Sequence, residues 1–188
     1  MDAAQSQLSD QVDYATQRLL GTAREIADSE LRQPSLLPGW TRAYVLAHLA
    51  RGADAMRYLL VGARSGEDRP AYASEQEWAA ATEYTAGLST KALAADVAAS
   101  AMALRVISRQ LSDDAWRAPV RPRDSGSFPA AELLTRRLVE VELHHCDLGA
   151  GYGPGDWSAA FAAMELAEPM RSLREDRHRR AQASPPTG

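Results

Sequence analysis

Residues 133–148 read LLTRRLVEVELHHCDL. Leu134, Leu138, Val141, His145 and Leu148 recur at three- and four-residue intervals, the spacing that lines side chains along one stripe of an α-helix. Arg137, Glu140 and His144 lie along the edge of that stripe. Glu140 and His144 are four residues apart, so on a helix of about 3.6 residues per turn they project from nearly the same face. A carboxylate and an imidazole so placed can grip one divalent ion. A third potential ligand, His48, lies far upstream in another helical run, Thr41–Leu60. Three protein ligands are the number that catalytic zinc sites use while keeping a position open for water or substrate. The order, a distant His followed by E-x-x-x-H, is not the H-E-x-x-H of metalloproteases, so that activity has no motif behind it.

Outward from this stretch the chain reads as helix almost throughout. β-Branched residues are sparse, alternation is absent, and Ala, Leu, Arg and Glu dominate the long segments, as helices prefer. A first helix is expected over about residues 6–31, with Val12, Leu19, Leu20, Ala23 and Ile26 as its apolar stripe. The loop QPSLLPGW (33–40) carries a Pro-Gly turn signal, and Thr41 is placed to cap a second helix over about 42–63. There Val45, His48, Leu49, Gly52, Met56 and Leu59 share a face, which points His48 toward the core. After a polar loop over 62–73, Ser74 caps a third stretch to about Gly87. Ser89 or Thr90 restarts the helix, and Leu93, Val97, Ala101, Leu104, Ile107 and Leu111 keep helical spacing.

Residues 111–128 read as a loop, and Pro129 suits the first turn of the fourth main helix. GAGYGPGDW (149–157) ends that helix, and a last one is expected over 158–173. The prediction is an all-α four-helix bundle with an additional short C-terminal helix, one domain over residues 1–174. Residues 175–188, charged and then Pro/Ser-rich, read as a disordered tail. In such bundles facing helices build sites in the interior.

The chain has 188 residues, 45% of them hydrophobic, enough for an ordinary single core. Its net charge of −4 comes from interspersed signs, which gives no electrostatic footprint for nucleic acid or an anionic membrane. No stretch reaches the roughly 18 apolar residues of a membrane span, and the N-terminus lacks the pattern of an export signal. The single cysteine, Cys146, excludes an internal disulfide and agrees with a reducing, cytoplasmic setting.

Two blocks, LLPGWTRAYVLAHLARGADAMRYLL (36–60) and RLVEVELHHCDLGAGYGPGDW (137–157), together resemble the mycothiol-dependent maleylpyruvate isomerase family, whose metal-binding domain belongs to the DinB-like group. The first is similar to a PGW-T-x-x-x-V-x-A-H-L-A signature and the second to R-x-x-E-V-x-x-H-H-x-D-L-G. The similarity extends over about residues 5–170. It implies a DinB-like bundle holding a divalent metal, usually zinc, through His48, Glu140 and His144. It also implies that the metal activates mycothiol, or a similar low-molecular-weight thiol, as a thiolate that adds to a small electrophilic substrate. Addition to a cis alkene, rotation and elimination would isomerise it; retention of the thiol or loss of a leaving group would make an S-transferase. Bundles of this group also dimerise, so a homodimer is among the implied partners.

The chain departs from the pattern in three ways. Family members commonly continue into a small C-terminal α/β domain, whereas this sequence passes soon after Trp157 into a polar tail. The family also often has Arg about where Trp78 stands and another near Leu88. An aromatic in place of a guanidinium points to a larger, less charged substrate than a small diacid. A non-catalytic metal- or ligand-binding module is the alternative function.

The neighbouring residues carry competing readings. Arg137, one turn before Glu140, is the candidate catalytic residue, able to meet a carboxylate with its planar fork; a structural ion pair with Glu140 competes. His145 is turned about 100° from His144 and reads as packed rather than ligating. Asp147 or Glu142 could orient a ligand imidazole, or serve as surface or capping residues. Cys146 reads as a buried small hydrophobe, and Trp40 and Trp157 as packing anchors.

Overall fold

The computed structural model describes residues 2–122 and 126–183. Its first helix, α1 (Ala3–Glu25), opens with a reciprocal cap in which the Asp2 carboxylate accepts from the Gln5 N–H and the Gln5 side chain accepts from the Asp2 N–H. Ala15, Leu19, Leu20 and Ala23 are its buried stripe. The helix stops short of the expected residue 31 because Ile26 is extended, with ψ of 122°. Asp28 and Glu30, acidic residues that favour a helix N-terminus, start a separate single turn, α2 (Asp28–Leu31).

Thr41 caps α3 (Arg42–Ser65) as the sequence predicts, its hydroxyl accepting from the Tyr44 N–H at 3.1 Å. Ser74 and Ser89 do the same for α4 (Glu75–Ala86) and α5 (Thr90–Ser108). The segment expected as a loop over 111–128 is more ordered. It holds α6 (Asp113–Arg117), capped by Ser112, and a short antiparallel ladder of β1 (Pro119–Val120) with β2 (Phe128–Pro129). Residues 123–125 lie outside the described residues. Burial of Trp116, Val120 and Phe128 organises this segment. Pro129 therefore sits in a strand rather than at a helix start. The N–H groups of Ala130 and Ala131 go to the carbonyls of Ala118 and Trp116, so α7 (Glu132–Asp147) begins after them.

The four long helices α1, α3, α5 and α7 form the bundle: α3 packs on α5 and α7, and α1 on α7 and α5, with α4 laid against α3. The main core gathers Leu19, Leu46, Leu49, Val97, Leu138 and Leu148, and a second cluster under the ladder gathers Leu60, Leu104, Trp116 and Leu133. Among the described residues no helix is long and apolar enough to cross a membrane.

The C-terminal region departs most from expectation. Instead of one helix over 158–173 there is a single turn, α8 (Ala159–Ala162), and then α9 (Met170–Ala183). Pro169 disfavours helical backbone in the residue before it and separates the two. Residues 175–183, expected in a disordered tail, belong to α9. Arg177, 8% exposed, reaches Asp147 on α7; this buried ion pair docks a helix whose composition is that of a solvated segment. Residues 184–188 lie outside the described residues.

Candidate functional site

α3 and α7 run side by side, and their facing surfaces bring His48, Glu140 and His144 together. His48 Nε2 stands 3.4 Å from Glu140 Oε1, and the His48 and His144 rings lie 4.9 Å apart, centre to centre, at 76°. All three line one cavity of about 590 Å³.

Glu140 and His144 are held from behind, whereas His48 Nδ1 is buried without a hydrogen-bond partner. Arg137 Nη1 donates to Glu140 Oε2 at 2.9 Å and to the Leu49 carbonyl at 2.9 Å. Burial alone would push the Glu140 carboxyl up, but its contact with His48 and the Arg137 charge outweigh that and hold it at about 2. His144 Nδ1 lies 3.0 Å from Asp147 Oδ2. Arg177 grips Asp147 with Nε at 3.1 Å and Nη2 at 2.7 Å. Burial opposes ionisation of Asp147 too, and His144 and Arg177 override it, lowering its pKa. An ionised carboxylate at this distance accepts a hydrogen bond from Nδ1–H, which in the neutral imidazole leaves the lone pair on Nε2. Gly52, one turn after His48, completes the seat, since a Cβ there would lie 2.5 Å from Glu140 Oε1.

These donors suit a divalent cation. The 3.4 Å between His48 Nε2 and Glu140 Oε1 exceeds the usual N–H···O length of about 2.7–3.2 Å. It matches the roughly 3.4 Å edge between two ligands each about 2.1 Å from a tetrahedral ion. Among the described residues no group of three or more His, Cys, Asp or Glu side chains stands close enough together to hold a metal ion as it is.

Aromatic rings wall the imidazoles. Trp40 lies 4.9 Å from His48 and 6.0 Å from His144, and Trp78 lies 5.3 Å from His48. Trp40 is carried there by the loop before α3, which docks on the C-terminus of α7. The Leu36 N–H donates to the Asp147 carbonyl, and Arg42 donates to the carbonyls of Leu148 and Gly149, each at 2.9 Å. A cation at a helix C-terminus is favoured by the exposed carbonyls it meets. Met56, Leu59, Val139, Leu143 and Leu173 line the rest of the cavity.

The remaining candidates fall elsewhere. Of the two readings of Arg137, the ion pair with Glu140 is the one present; the side chain is 1% exposed and does not line the cavity. His145 faces α1, where its Nε2 is 2.7 Å from the Thr22 hydroxyl and its ring stacks on Tyr152. Burial pushes its pKa down to about 4. Glu142 accepts from the Tyr152 hydroxyl in that same network. Burial, with Asp147 adding to it, pushes the Cys146 thiol up to about 12, so it stays protonated and inert. Trp157 packs edge-on against Phe161. Gly52, Arg136 and Arg177 border the cavity and gave no functional signal in the sequence; the nearest was a small residue one turn from His48 on the same face.

The geometry and the two signature blocks coincide with a known domain. The mycothiol maleylpyruvate isomerase N-terminal domain matches over residues 12–149. The chain belongs to that family. Crystal structures of mycothiol-dependent maleylpyruvate isomerase, one of a histidine-to-alanine variant, share its fold with a TM-score of 0.79 at 30% identity, covering 84% of this chain. The match takes in 65% of those chains, so this chain spans a little under two thirds of the length of these family structures. No curated protein matches the sequence.

Proposed function

We propose that the chain is a metal- and thiol-dependent enzyme that adds a low-molecular-weight thiolate of the mycothiol type to a small electrophile, giving cis-trans isomerisation or S-transfer. The observation that carries this reading is the convergence of His48, Glu140 and His144 on one cavity, with Glu140 oriented by Arg137 and His144 by Asp147. His48, Glu140 and His144 would hold the ion, most reasonably zinc given two imidazoles and one carboxylate. Such a cation, when bound, stabilises a thiolate near neutral pH and polarises a substrate carbonyl or carboxylate.

The protein's own groups do the rest. Arg137 keeps Glu140 ionised and turned toward His48. Asp147, braced by Arg177, fixes the His144 tautomer, a second layer of contacts of the kind that tunes ligand imidazoles. Trp40 and Trp78 exclude water from the flanks of the imidazoles, and the apolar walls receive the substrate body. In the isomerase version the thiolate adds across a conjugated cis double bond, the resulting single bond rotates, and elimination returns the trans alkene and the thiol, with no net redox change. The reading carries a reducing, cytoplasmic setting with it.

Metal analysis of the protein purified without chelators, beside His48→Ala and coupled to a mycothiol titration of both, tests it. About one metal per chain, lost in the variant together with thiol binding, is expected. Absence of bound metal, and of any capacity to take it up, would sink the proposal. Metal without thiol binding would leave a binding module in its place.

A further inference from the structure

Arg136 lies one helical turn before Glu140 on α7 and lines the same cavity. Its Nε is buried without a hydrogen-bond partner. The carboxylate facing it, Glu132 Oε2, is 3.7 Å away, beyond hydrogen-bond length. Its guanidinium lies 3.9 Å from the centre of the Phe128 ring, which steadies the plane of the fork and leaves its edges available. The other cation at the wall, Arg177, is committed to Asp147. Arg137 is turned away into the bundle beside Glu140. Glu75, the remaining acid at the wall, is exposed on α4. Among the described residues lining the cavity, Arg136 is thus the arginine whose ion pair, with the exposed Glu132, is long at 3.7 Å against 2.7 Å for Arg177 with Asp147, and it is set in a wall that is otherwise mostly apolar.

We propose that Arg136 binds the carboxylate of an amphipathic monoanionic substrate whose apolar body lies along Met56, Leu59, Val139 and Leu173. Residues four apart on a helix are about 5–6 Å apart at Cβ. A carboxylate on Arg136 therefore leaves carbons a few bonds away beside His48, Glu140 and His144. An α,β- or β,γ-unsaturated acid with an aliphatic or aromatic tail fits both ends, and the cavity volume of about 590 Å³ is that of a site for a ligand of this size. Along the apolar walls that receive the tail no second cation stands among the described residues save Arg177, which is committed to Asp147, so a carboxylate at the tail end of the substrate would be buried without a partner. The proposal rests on the reading of the His48–Glu140–His144 centre as the reacting end, but its test does not depend on turnover.

Octanoate, 1-octanol and octanedioate serve as probes, titrated calorimetrically into the full chain as purified, into Arg136→Met, which keeps the packing on Phe128, and into Arg136→Lys, which keeps the charge. The wild type should bind octanoate roughly ten-fold or more tightly than octanol, and octanedioate more weakly than octanoate. Arg136→Met should bring octanoate and octanol within about two-fold of each other, leaving octanol binding as it was, and Arg136→Lys should restore part of the preference. The assignment is overturned if Arg136→Met keeps the preference, if octanedioate binds as well as octanoate, or if none of the probes binds. A preference that survives in Arg136→Met and disappears in His48→Ala would put the carboxylate on the triad instead. Discrimination by Arg136 in a protein that holds no metal would leave this assignment standing and remove the proposed chemistry.

Discussion

At the scale of single residues, the site is specified as much by what is small as by what is charged. Gly52 has no left-handed conformation to explain it; it lies inside α3, where glycine costs about 1 kcal/mol relative to alanine. Its return is space, because a Cβ would come within 2.5 Å of Glu140 Oε1. That oxygen ends a flexible side chain, so Gly52→Ala should leave the fold as stable as before or more so, while pushing the carboxylate off its line to His48. Zinc affinity, measured by competition with a chromophoric chelator, is expected to fall by about 10–100-fold, as when the contacts that orient a ligand are lost, with thermal stability of the metal-free protein undiminished. Unchanged affinity would show that the seat of Glu140 is not set by this contact. Glu140, His144 and His48 were legible as a triad because helical spacing and chemistry agreed. Arg137 was legible only as a residue near Glu140, since its direction depends on where the Leu49 carbonyl lies. Arg177 was illegible, one arginine among several in a charged run.

At the scale of elements, three helices meet behind the triad. α3 supplies His48 and Gly52, α7 supplies Glu140, His144 and Asp147, and α9 closes the back by placing Arg177 on Asp147. The α9 sequence has few apolar residues to bury, so its docking leans on that ion pair, on Arg174 donating to the Phe161 carbonyl, and on His178 against Trp157. Removing one partner of a buried pair costs about 3–5 kcal/mol, and the cheapest relief is for α9 to let go while the bundle stays folded. Arg177→Met should therefore raise amide exchange over residues 170–183 by at least ten-fold and speed tryptic cleavage at Arg171 and Arg174, with the exchange of α3 and α7 little changed. If α9 keeps wild-type protection, the ion pair does not hold it. The caps at Thr41, Ser74 and Ser89 were readable because a cap is a local contract between a hydroxyl and a nearby N–H. The break at Ile26, the ladder of β1 with β2 and the late start of α7 were not, because tertiary burial of Ile26, Trp116 and Phe128 decides them.

At the scale of the whole molecule, helical periodicity sufficed for the architecture, since four stripes of apolar residues have few ways to be buried other than in a bundle. It did not suffice for the cavity. The cavity wall combines α3, α4 and the residues just before it, α7, α9 and Pro122 between the two strands of the ladder, so which side chains face it depends on the packing of pieces far apart in sequence. The same long-range closure makes the metal proposal testable through stability. The proposed ligands at positions 48 and 140 belong to helices far apart in the sequence, and an ion shared between them would bind the folded protein but not the unfolded one. At a free zinc concentration about a hundred-fold above the dissociation constant, such linkage contributes about 2.7 kcal/mol. In a domain of this size each kcal/mol moves the melting temperature by about 2–4 °C. The wild type should therefore melt about 5–10 °C higher with zinc than after treatment with a chelator, and His48→Ala should melt at nearly one temperature in both. If the wild type shows no such difference, the ion does not bridge α3 and α7; an equal rise in wild type and variant would mean that zinc stabilises the chain from a site that does not include His48.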